Sequence, residues 1–318
     1  MSKPQVSVCI ITCNQQNYIR QCVESVLMQA EDVSLEILVG DDCSRDNTSK
    51  IIAELVAENP HLIRHIRHES RQGACRNSQV ILALAKGQFV AHLDGDDYWL
   101  PGKLKRQLAF MMASPGCAAV YTNALTVTES GGAIGLFNDV GDQCFDLSAL
   151  LRKGNFLNAS SVMMRAEVVA QLLEIEGQFI DYRAHLRHAR KGFIAQLGQP
   201  LVGYRINSVS SMVFNSNDQV RSLYWDAIMD VPRELVTDLD FARGLADFFR
   251  RVTFRAIKLK QWGLLRDWAP SVFQASPFGA IRTTLLISWA IMRMTCVELV
   301  GRLPIWTPRR HTKVLYRR

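Results

Sequence analysis

Short apolar runs alternate with amphipathic segments in the first part of the chain. Residues 6–12, 35–40, 62–66 and 89–93 are apolar runs of the kind found in strands that are buried on both faces of a parallel sheet. Between these runs, hydrophobic side chains recur at helical spacing. The alternation predicts a doubly wound α/β sheet flanked by helices. Ligands of such sheets bind at the carboxyl ends of the strands.

The hydrophobic pattern is weaker beyond residue 126. Residues 157–164 predict a further strand, residues 179–191 predict a helix that ends at Gly192, and residues 193–197 predict the next strand. After Asn217 the apolar spacing is mostly helical. We therefore expect a domain with two halves and then a helical C-terminal region, with these bounds: residues 1–125, 126–217 and 218–318.

Composition is that of an ordinary globular protein, with 48% hydrophobic and 21% charged residues among 318. The eight cysteines lie far apart, without a C-x-x-C pair or zinc spacing, which favours reduced thiols in a cytoplasmic setting. The apolar run at residues 6–11 lacks a charged n-region and a small-residue cleavage site, so we expect no signal peptide. In residues 281–300 the longest uncharged stretch is ten residues, and we expect no membrane span because a span needs about 20.

Three polar turns follow the ends of predicted strands. Asn14 follows the first run, Asp41 and Asp42 follow the second, and residues 94–97 follow the fourth. The carboxyl ends of parallel strands meet at one edge of a sheet. We therefore expect these side chains to converge on one site.

The turn at residues 94–97 contains three carboxylates, on Asp94, Asp96 and Asp97, beside Gly95. Such a cluster is unfavourable unless a cation relieves it. Oxygen ligands favour Mg²⁺ or Mn²⁺, which usually shares its coordination sphere with phosphate oxygens. The sequence lacks an EF-hand loop, a P-loop and a G-x-G-x-x-G turn after the first strand. A solvated acidic turn is the alternative interpretation.

Several motifs in this order resemble glycosyltransferase family 2. The resemblance covers about residues 5 to 215, and its specificity comes from the combination of motifs in this order, at residues 6–14, 39–48, 73–77, 93–101, 160–165, 180–192 and 204–210. It implies a GT-A fold and inverting transfer of a sugar from a nucleoside diphosphate sugar to an acceptor hydroxyl. Surface-polysaccharide or lipopolysaccharide synthesis is the expected setting.

The same resemblance implies roles for single residues. Asp96 would be the main metal ligand with Asp97 assisting, and Asp181 would be the general base. Asp42 would hydrogen-bond the nucleoside base, usually uracil. The resemblance places one group of residues against the donor substrate: Thr12, Asn14, Asp42, Arg76, Asp94 and Arg205.

Two positions depart from the family pattern. Ile180 stands where an acid commonly precedes Asp181, and Asn207 stands where a histidine is frequent. A catalytically silent sugar-nucleotide-binding protein therefore remains an alternative, as does Asp181 acting only as a helix N-cap. A metal-dependent nucleotidyltransferase is a further alternative, although residues 12–17 lack its glycine-rich basic loop. His185 and His188 are expected on a polar helix face.

The net positive charge of the chain lies in its C-terminal third. From Gln219 to Arg318 there are 17 Lys and Arg residues against 8 Asp and Glu residues, while the whole chain has a net charge of +7. Basic and apolar helices together favour peripheral attachment to an anionic membrane surface. A helical cap on the domain or a dimer interface is the alternative. No nucleic-acid-binding motif accompanies the basic residues.

Overall fold

A computed structural model describes residues 3–206, 217–300 and 313–316. In these ranges the chain forms one mixed sheet of eleven strands. The strands β1 to β11 have the following bounds: Val6–Thr12, Leu35–Asp41, Ile63–Arg67, Phe89–Asp94, Tyr98–Trp99, Cys117–Val127, Ala133–Asn138, Gln143–Phe145, Met163–Arg165, Phe193–Arg205 and Lys313–Tyr316.

Helices flank this sheet and dominate the C-terminal part of the described chain. The helices α1 to α11 have the following bounds: Ile19–Leu27, Thr48–Glu58, Ala74–Leu84, Lys103–Ala113, Leu147–Lys153, Ala166–Leu173, Asp181–His188, Asn217–Met229, Asp238–Leu259, Gly263–Ala275 and Ala280–Val300. Short 3₁₀ turns lie at Ala159–Ser161 and Arg233–Leu235. The predicted α/β fold class with a helical C-terminal region is confirmed.

Four parallel strands form the part of the sheet that the sequence pattern predicted. The order is β3, β2, β1, β4, and β4 continues to β9 and β6 through antiparallel pairing. In β1, Val6, Val8 and Ile10 pack on one face of the sheet and Cys9 packs on the other. This alternation follows from the two-residue period of a strand. Both faces are covered, so β1 is apolar over most of its length.

The sequence analysis missed the strand β6 and only partly described residues 157–164. β6 contains the buried polar residues Thr122 and Asn123, which interrupt the apolar run that marks a buried strand. Residues 157–164 form the 3₁₀ turn and then the short strand β9. The helix that was predicted over residues 179–191 is shorter in the structure, where it begins at Asp181 and ends at His188.

The C-terminal helices pack on the sheet domain. Arg152 of α5 forms an ion pair with Asp240 of α9 at 2.6 Å, and Gly244 of α9 lies against the Leu151 side chain. Their apolar residues join the core on one face of the sheet. None of the helices in the described ranges has both the length and the hydropathy that crossing a membrane requires.

Candidate active site

A cavity of about 850 Å³ opens at the carboxyl ends of β1, β2 and β4. Its lining includes six of the nine predicted site residues: Thr12, Asp42, Asp94, Asp96, Asp181 and Arg205. The predicted convergence of the polar turns is thus seen in the structure. Asn14, Arg76 and Asp97 are not part of the lining. Arg76 is an exposed residue in the first turn of α3.

Asp42 anchors the loop that forms one wall of the cavity. Its carboxylate accepts hydrogen bonds from the backbone N–H groups of Gln72 at 2.6 Å and Gly73 at 2.9 Å. Gly73 has φ of +86°, a conformation that glycine adopts without steric cost. The buried carboxylate therefore fixes the loop beside the end of β2, and each oxygen keeps a second lone pair for a ligand.

The first polar turn is shaped by its own hydrogen bonds. Thr12 donates to Gln15 Oε1 at 2.7 Å. Asn14 has φ of +54°, and its side chain accepts a hydrogen bond from the backbone of Arg45 at 2.8 Å. Asn14 therefore holds two loops together, while Thr12 lines the cavity.

The acidic turn is packed tightly against this first turn. A Cβ atom on Gly95 would overlap Thr12 and Gln15, so the position requires glycine. Asp94 contacts His92 Nε2 at 3.0 Å. Burial would raise the pKa of Asp94, but hydrogen bonds from His92 and Ser160 outweigh burial and hold that pKa below its usual value. Asp94 is therefore ionised at neutral pH.

Asp97 points away from the cavity and is buried. One carboxylate oxygen accepts from Ser160 Oγ at 2.6 Å, and the other accepts from the backbone N–H of Arg205 at 2.9 Å. Burial, followed by the charges of Asp96 and Asp94, raises the pKa of Asp97 well above its usual value. The turn thus carries more negative charge than its surroundings neutralise.

The donor set of this turn suits a divalent cation that is held partly by substrate. Among the described residues, no three His, Cys, Asp or Glu side chains are grouped as a protein-only metal site. Mg²⁺ typically takes one or two carboxylates and completes its shell with phosphate oxygens and water. Asp94 and Asp96 line the cavity and fit that requirement. Asp97 could become a third ligand only if its carboxylate gave up its hydrogen bonds with Ser160 and Arg205.

Arg205 brings a positive charge to the acidic turn. It is the last residue of β10, and its guanidinium donates to the main-chain oxygen of Asp96 and to Gln21 Oε1. The guanidinium carbon lies 4.7 Å from the ring centre of Tyr18 and 5.1 Å from that of Tyr98. The two rings limit its movement, and it lines the cavity beside the carboxylates.

Asp181 lines the same cavity as Asp94 and Asp96, and its side chain is accessible there. It is the first residue of α7, and the N-cap position belongs to Ile180, so the alternative N-cap role is wrong. Removal from bulk water, with the charge of Asp94, raises the pKa of Asp181 to about 6, while His92 opposes this change. A carboxylate with this pKa can accept a proton near neutral pH.

Helix α7 is held in place by a cluster of charges behind the cavity. Asp230 accepts hydrogen bonds from Arg183 at 2.9 Å, from Arg187 at 2.7 Å and from Arg190 at 2.6 Å. All four side chains are less than one fifth exposed. The cluster therefore fixes the helix that carries Asp181.

Sequence comparison agrees with this geometry. Residues 7–136 match the profile described as Glycosyl transferase family 2. TuaG of Bacillus subtilis, a glycosyltransferase provisionally assigned to teichuronic acid biosynthesis, is 32% identical over 215 residues, which are 66% of this chain and 82% of TuaG. The chain belongs to glycosyltransferase family 2. The family member described here is also 29% identical to the uncharacterized protein Rv1520 of Mycobacterium tuberculosis over 223 residues.

The extent of these matches differs between relatives. The match to Rv1520 covers 70% of this chain and 64% of Rv1520, so the chain spans just under two thirds of that relative. Residues 1–349 of TarS from Staphylococcus aureus, solved in complex with UDP-GlcNAc, superpose with a TM-score of 0.65 at 19% identity. That superposition covers 89% of this chain and 84% of the TarS chain. It shows that the fold is of the GT-A type seen in TarS.

Sequence reasoning missed several residues of the site in this glycosyltransferase. His92 lies two residues before Asp94, and the two-residue period of β4 places both on one face, which is a signal that could have identified it. Ser160 carries no such signal, because it reaches the acidic turn from the 3₁₀ turn. His185 and His188 are buried and line the cavity, so their assignment to an exposed polar face is wrong. Asn207 lies outside the described residues.

Proposed function

We propose that the chain is an inverting glycosyltransferase that moves a sugar from a nucleoside diphosphate sugar, with uridine as the base, to an acceptor hydroxyl. Cell-surface polysaccharide or lipopolysaccharide synthesis is the proposed setting. The observation that carries the proposal is that the acidic turn, through Asp94 and Asp96, and the carboxylate of Asp181, whose pKa is raised, line one cavity. A donor bound at the turn would present its reacting carbon toward Asp181.

The donor would bind along the carboxyl ends of the strands. Asp42 offers its remaining lone pairs to the N–H group of a uracil ring, and Thr12 contacts the nucleoside. Arg205 supplies the positive charge for the diphosphate, and Asp94 accepts hydrogen bonds from the ribose or the sugar. Asn14 and Arg76 would act on the same substrate from the rim of the site, and these two roles remain predictions.

Asp96 is the proposed ligand of Mg²⁺ or Mn²⁺, and Asp97 supports it from below the turn. Such a cation, when bound, neutralises charge that develops on the departing diphosphate. Ser160 holds Asp97 and Asp94 at 2.6 and 3.3 Å and therefore keeps the carboxylates at a fixed spacing. Arg205 limits repulsion within the turn through its contact with the Asp96 carbonyl group.

Asp181 is the proposed general base. It would accept the proton of the acceptor hydroxyl as the oxygen attacks the anomeric carbon from the side opposite the diphosphate, which inverts the configuration. The N-terminal position in α7 favours its ionised form through the helix dipole. The family's usual second acid is absent at Ile180, so Asp181 would perform this step without a neighbouring carboxylate.

A catalytically silent sugar-nucleotide-binding protein is the alternative that an experiment must exclude. Release of UDP from UDP-sugars in the presence of Mn²⁺ would be compared for wild type, Asp181→Asn and Asp96→Asn. We expect slow release by wild type, normal donor binding without release by Asp181→Asn, and weakened binding by Asp96→Asn. Tight UDP binding by wild type without turnover on any acceptor would favour the silent alternative.

We also propose that the C-terminal helices contact an anionic membrane surface. In α11, Ile281, Leu285, Trp289 and Met292 are 83, 64, 52 and 56% exposed and recur at a spacing that places them on one helix face. Residues 268–297 contain no acidic residue and include two arginines. An apolar stripe with flanking positive charge is typical of helices that lie in a lipid interface.

Flotation with vesicles tests this surface. The intact protein should float with vesicles of phosphatidylcholine and phosphatidylglycerol, and a Leu285→Glu, Trp289→Glu double variant should not. Met28→Glu is the matched control, because Met28 is 77% exposed but lies at the end of α1. Absence of wild-type binding at moderate salt, or equal binding by the double variant, would contradict the proposal.

A further inference from the structure

Two buried histidines share one tyrosine hydroxyl beside the cavity. Tyr121 Oη lies 2.7 Å from His185 Nδ1 and 2.7 Å from His188 Nδ1. Tyr121 lies in β6, and its side chain is fully buried. The histidines are 3 and 2% exposed, and both line the cavity. Tyr121, His185 and His188 have no part in the mechanism proposed above.

The other nitrogen of each ring has no protein partner. In the part of the chain that the structure describes, Nε2 of His185 and Nε2 of His188 are buried and make no hydrogen bond. A buried polar atom without a partner destabilises a protein unless a ligand or water satisfies it. Two such atoms at one cavity therefore indicate a binding position.

The shared hydroxyl determines where the ring hydrogens lie. Burial lowers the pKa of both rings, that of His188 to about 3, so both are neutral at pH 7. A neutral imidazole has one N–H group and one lone pair, and a hydroxyl has one hydrogen to donate. Tyr121 therefore donates to one Nδ1 and accepts from the other, and the two rings are opposite tautomers.

Whichever tautomer His188 adopts, its Nε2 atom can form a hydrogen bond with a hydroxyl group, because a hydroxyl group can both donate and accept.

The position of His188 on α7 indicates what it binds. Asp181, Ala184, His185 and His188 occupy one face of the helix, and all four line the cavity. His188 is roughly 10 Å along the helix from Asp181, at about 1.5 Å per residue. An acceptor needs an open path for the rest of its molecule, whereas the nearly complete burial of His188 suits a contact with a single sugar unit.

We propose that His188, oriented by Tyr121 and His185, forms a hydrogen bond through Nε2 with a hydroxyl group of the transferred sugar and thereby contributes to donor specificity. The inference rests on the proposed function, because it requires a sugar nucleotide in the cavity. His188 is a binding residue in this proposal, while Tyr121 and His185 are positioning residues that fix the orientation of its ring.

Two substitutions of His188 separate a ligand contact from a structural role. Asparagine places a polar group near Nδ1, which keeps the contact with Tyr121 and removes Nε2. Glutamine places a polar group near Nε2 and loses the contact with Tyr121. The matched control is Tyr182→Phe, which removes a buried hydroxyl that contacts Leu150 and Leu151 outside the cavity lining.

Binding of UDP and of UDP-glucose, UDP-galactose and UDP-N-acetylglucosamine would be measured by calorimetry with Mn²⁺. We expect His188→Asn to bind UDP as wild type does and the preferred UDP-sugar about tenfold more weakly, the loss of one hydrogen bond. His188→Gln should stay within about threefold of wild type, and Tyr182→Phe should bind like wild type.

The outcomes distinguish this inference from the proposed function. If wild type binds UDP and a UDP-sugar but His188→Asn keeps the wild-type ratio of the two affinities, the inference is wrong and the function stands. If His188→Gln loses more sugar affinity than His188→Asn, the ring is structural and the inference is also wrong. A wild-type protein that binds none of these nucleotides overturns both.

Discussion

The pKa of Asp181 makes the rate of sugar transfer depend on pH in a range that is easy to measure. Its pKa is raised to about 6, roughly two units above that of an ordinary aspartate. The ionised form is the base, so activity should rise with pH. About nine tenths of the carboxylate is ionised at pH 7 and about one tenth at pH 5, and kcat/KM should fall about tenfold between these values.

His92 provides a second perturbation of the same group. The positive charge of His92 opposes the rise in the Asp181 pKa, and the contact with Asp94 outweighs burial and raises the pKa of His92 itself. The substitution His92→Gln keeps a hydrogen-bond donor for Asp94 but removes the charge. The acidic limb of the pH profile should therefore move to higher pH in this variant.

The assay is release of UDP from the preferred UDP-sugar at saturating Mn²⁺, from pH 4.5 to 8. Circular dichroism at each pH is the control for loss of fold. We expect an acidic limb near pH 6 in wild type and a rate reduced by 10² to 10⁴, roughly the contribution of a general base, in Asp181→Asn. A wild-type limb near pH 4, or a limb that persists unchanged in Asp181→Asn, would refute the role of Asp181.

Three further substitutions have defined outcomes. Asp230→Asn leaves three arginines uncompensated behind α7 and should lower the free energy of unfolding, measured by urea denaturation, by about 3 kcal/mol. These arginines hold the pKa of Asp230 below its usual value. The difference in stability between wild type and the variant should therefore decrease as the pH drops below about 4. An unchanged midpoint of urea denaturation would argue against a stabilising role for this ion-pair cluster. Gly203→Ala should displace the Tyr98 ring, which a Cβ atom would overlap, and should cost about 1 to 3 kcal/mol in the same assay. Asp96→Asn should abolish the gain in UDP-sugar affinity that Mn²⁺ gives wild type, as measured by calorimetry, whereas a preserved gain would exclude Asp96 as a ligand.

The sequence predicted the parallel part of the sheet because most of those strands coincide with short apolar runs. It also predicted that the polar turns after β1, β2 and β4 would meet, since carboxyl ends of parallel strands share an edge. These inferences depend only on local pattern and on a general property of α/β sheets. They required no knowledge of distant contacts.

The remaining part of the site depends on contacts that leave no local signal. Ser160 contacts Asp97 although the two are 63 residues apart, and Tyr121 contacts His188 across 67 residues. The burial of His185 and His188 follows from the position of β6, which the sequence analysis did not identify. Helical spacing indicated that these histidines share a face, but it could not indicate whether that face meets solvent.

The strand β6 crosses the boundary between the two predicted halves at residues 125 and 126. It pairs with β9 and β10, and β9 in turn pairs with β4. Hydrogen bonding is therefore continuous between the two predicted halves, and the halves are not exchangeable modules. New acceptor preferences in related proteins should arise through changes in side chains and loops around the rim, while the shared sheet keeps the reacting groups at constant separation.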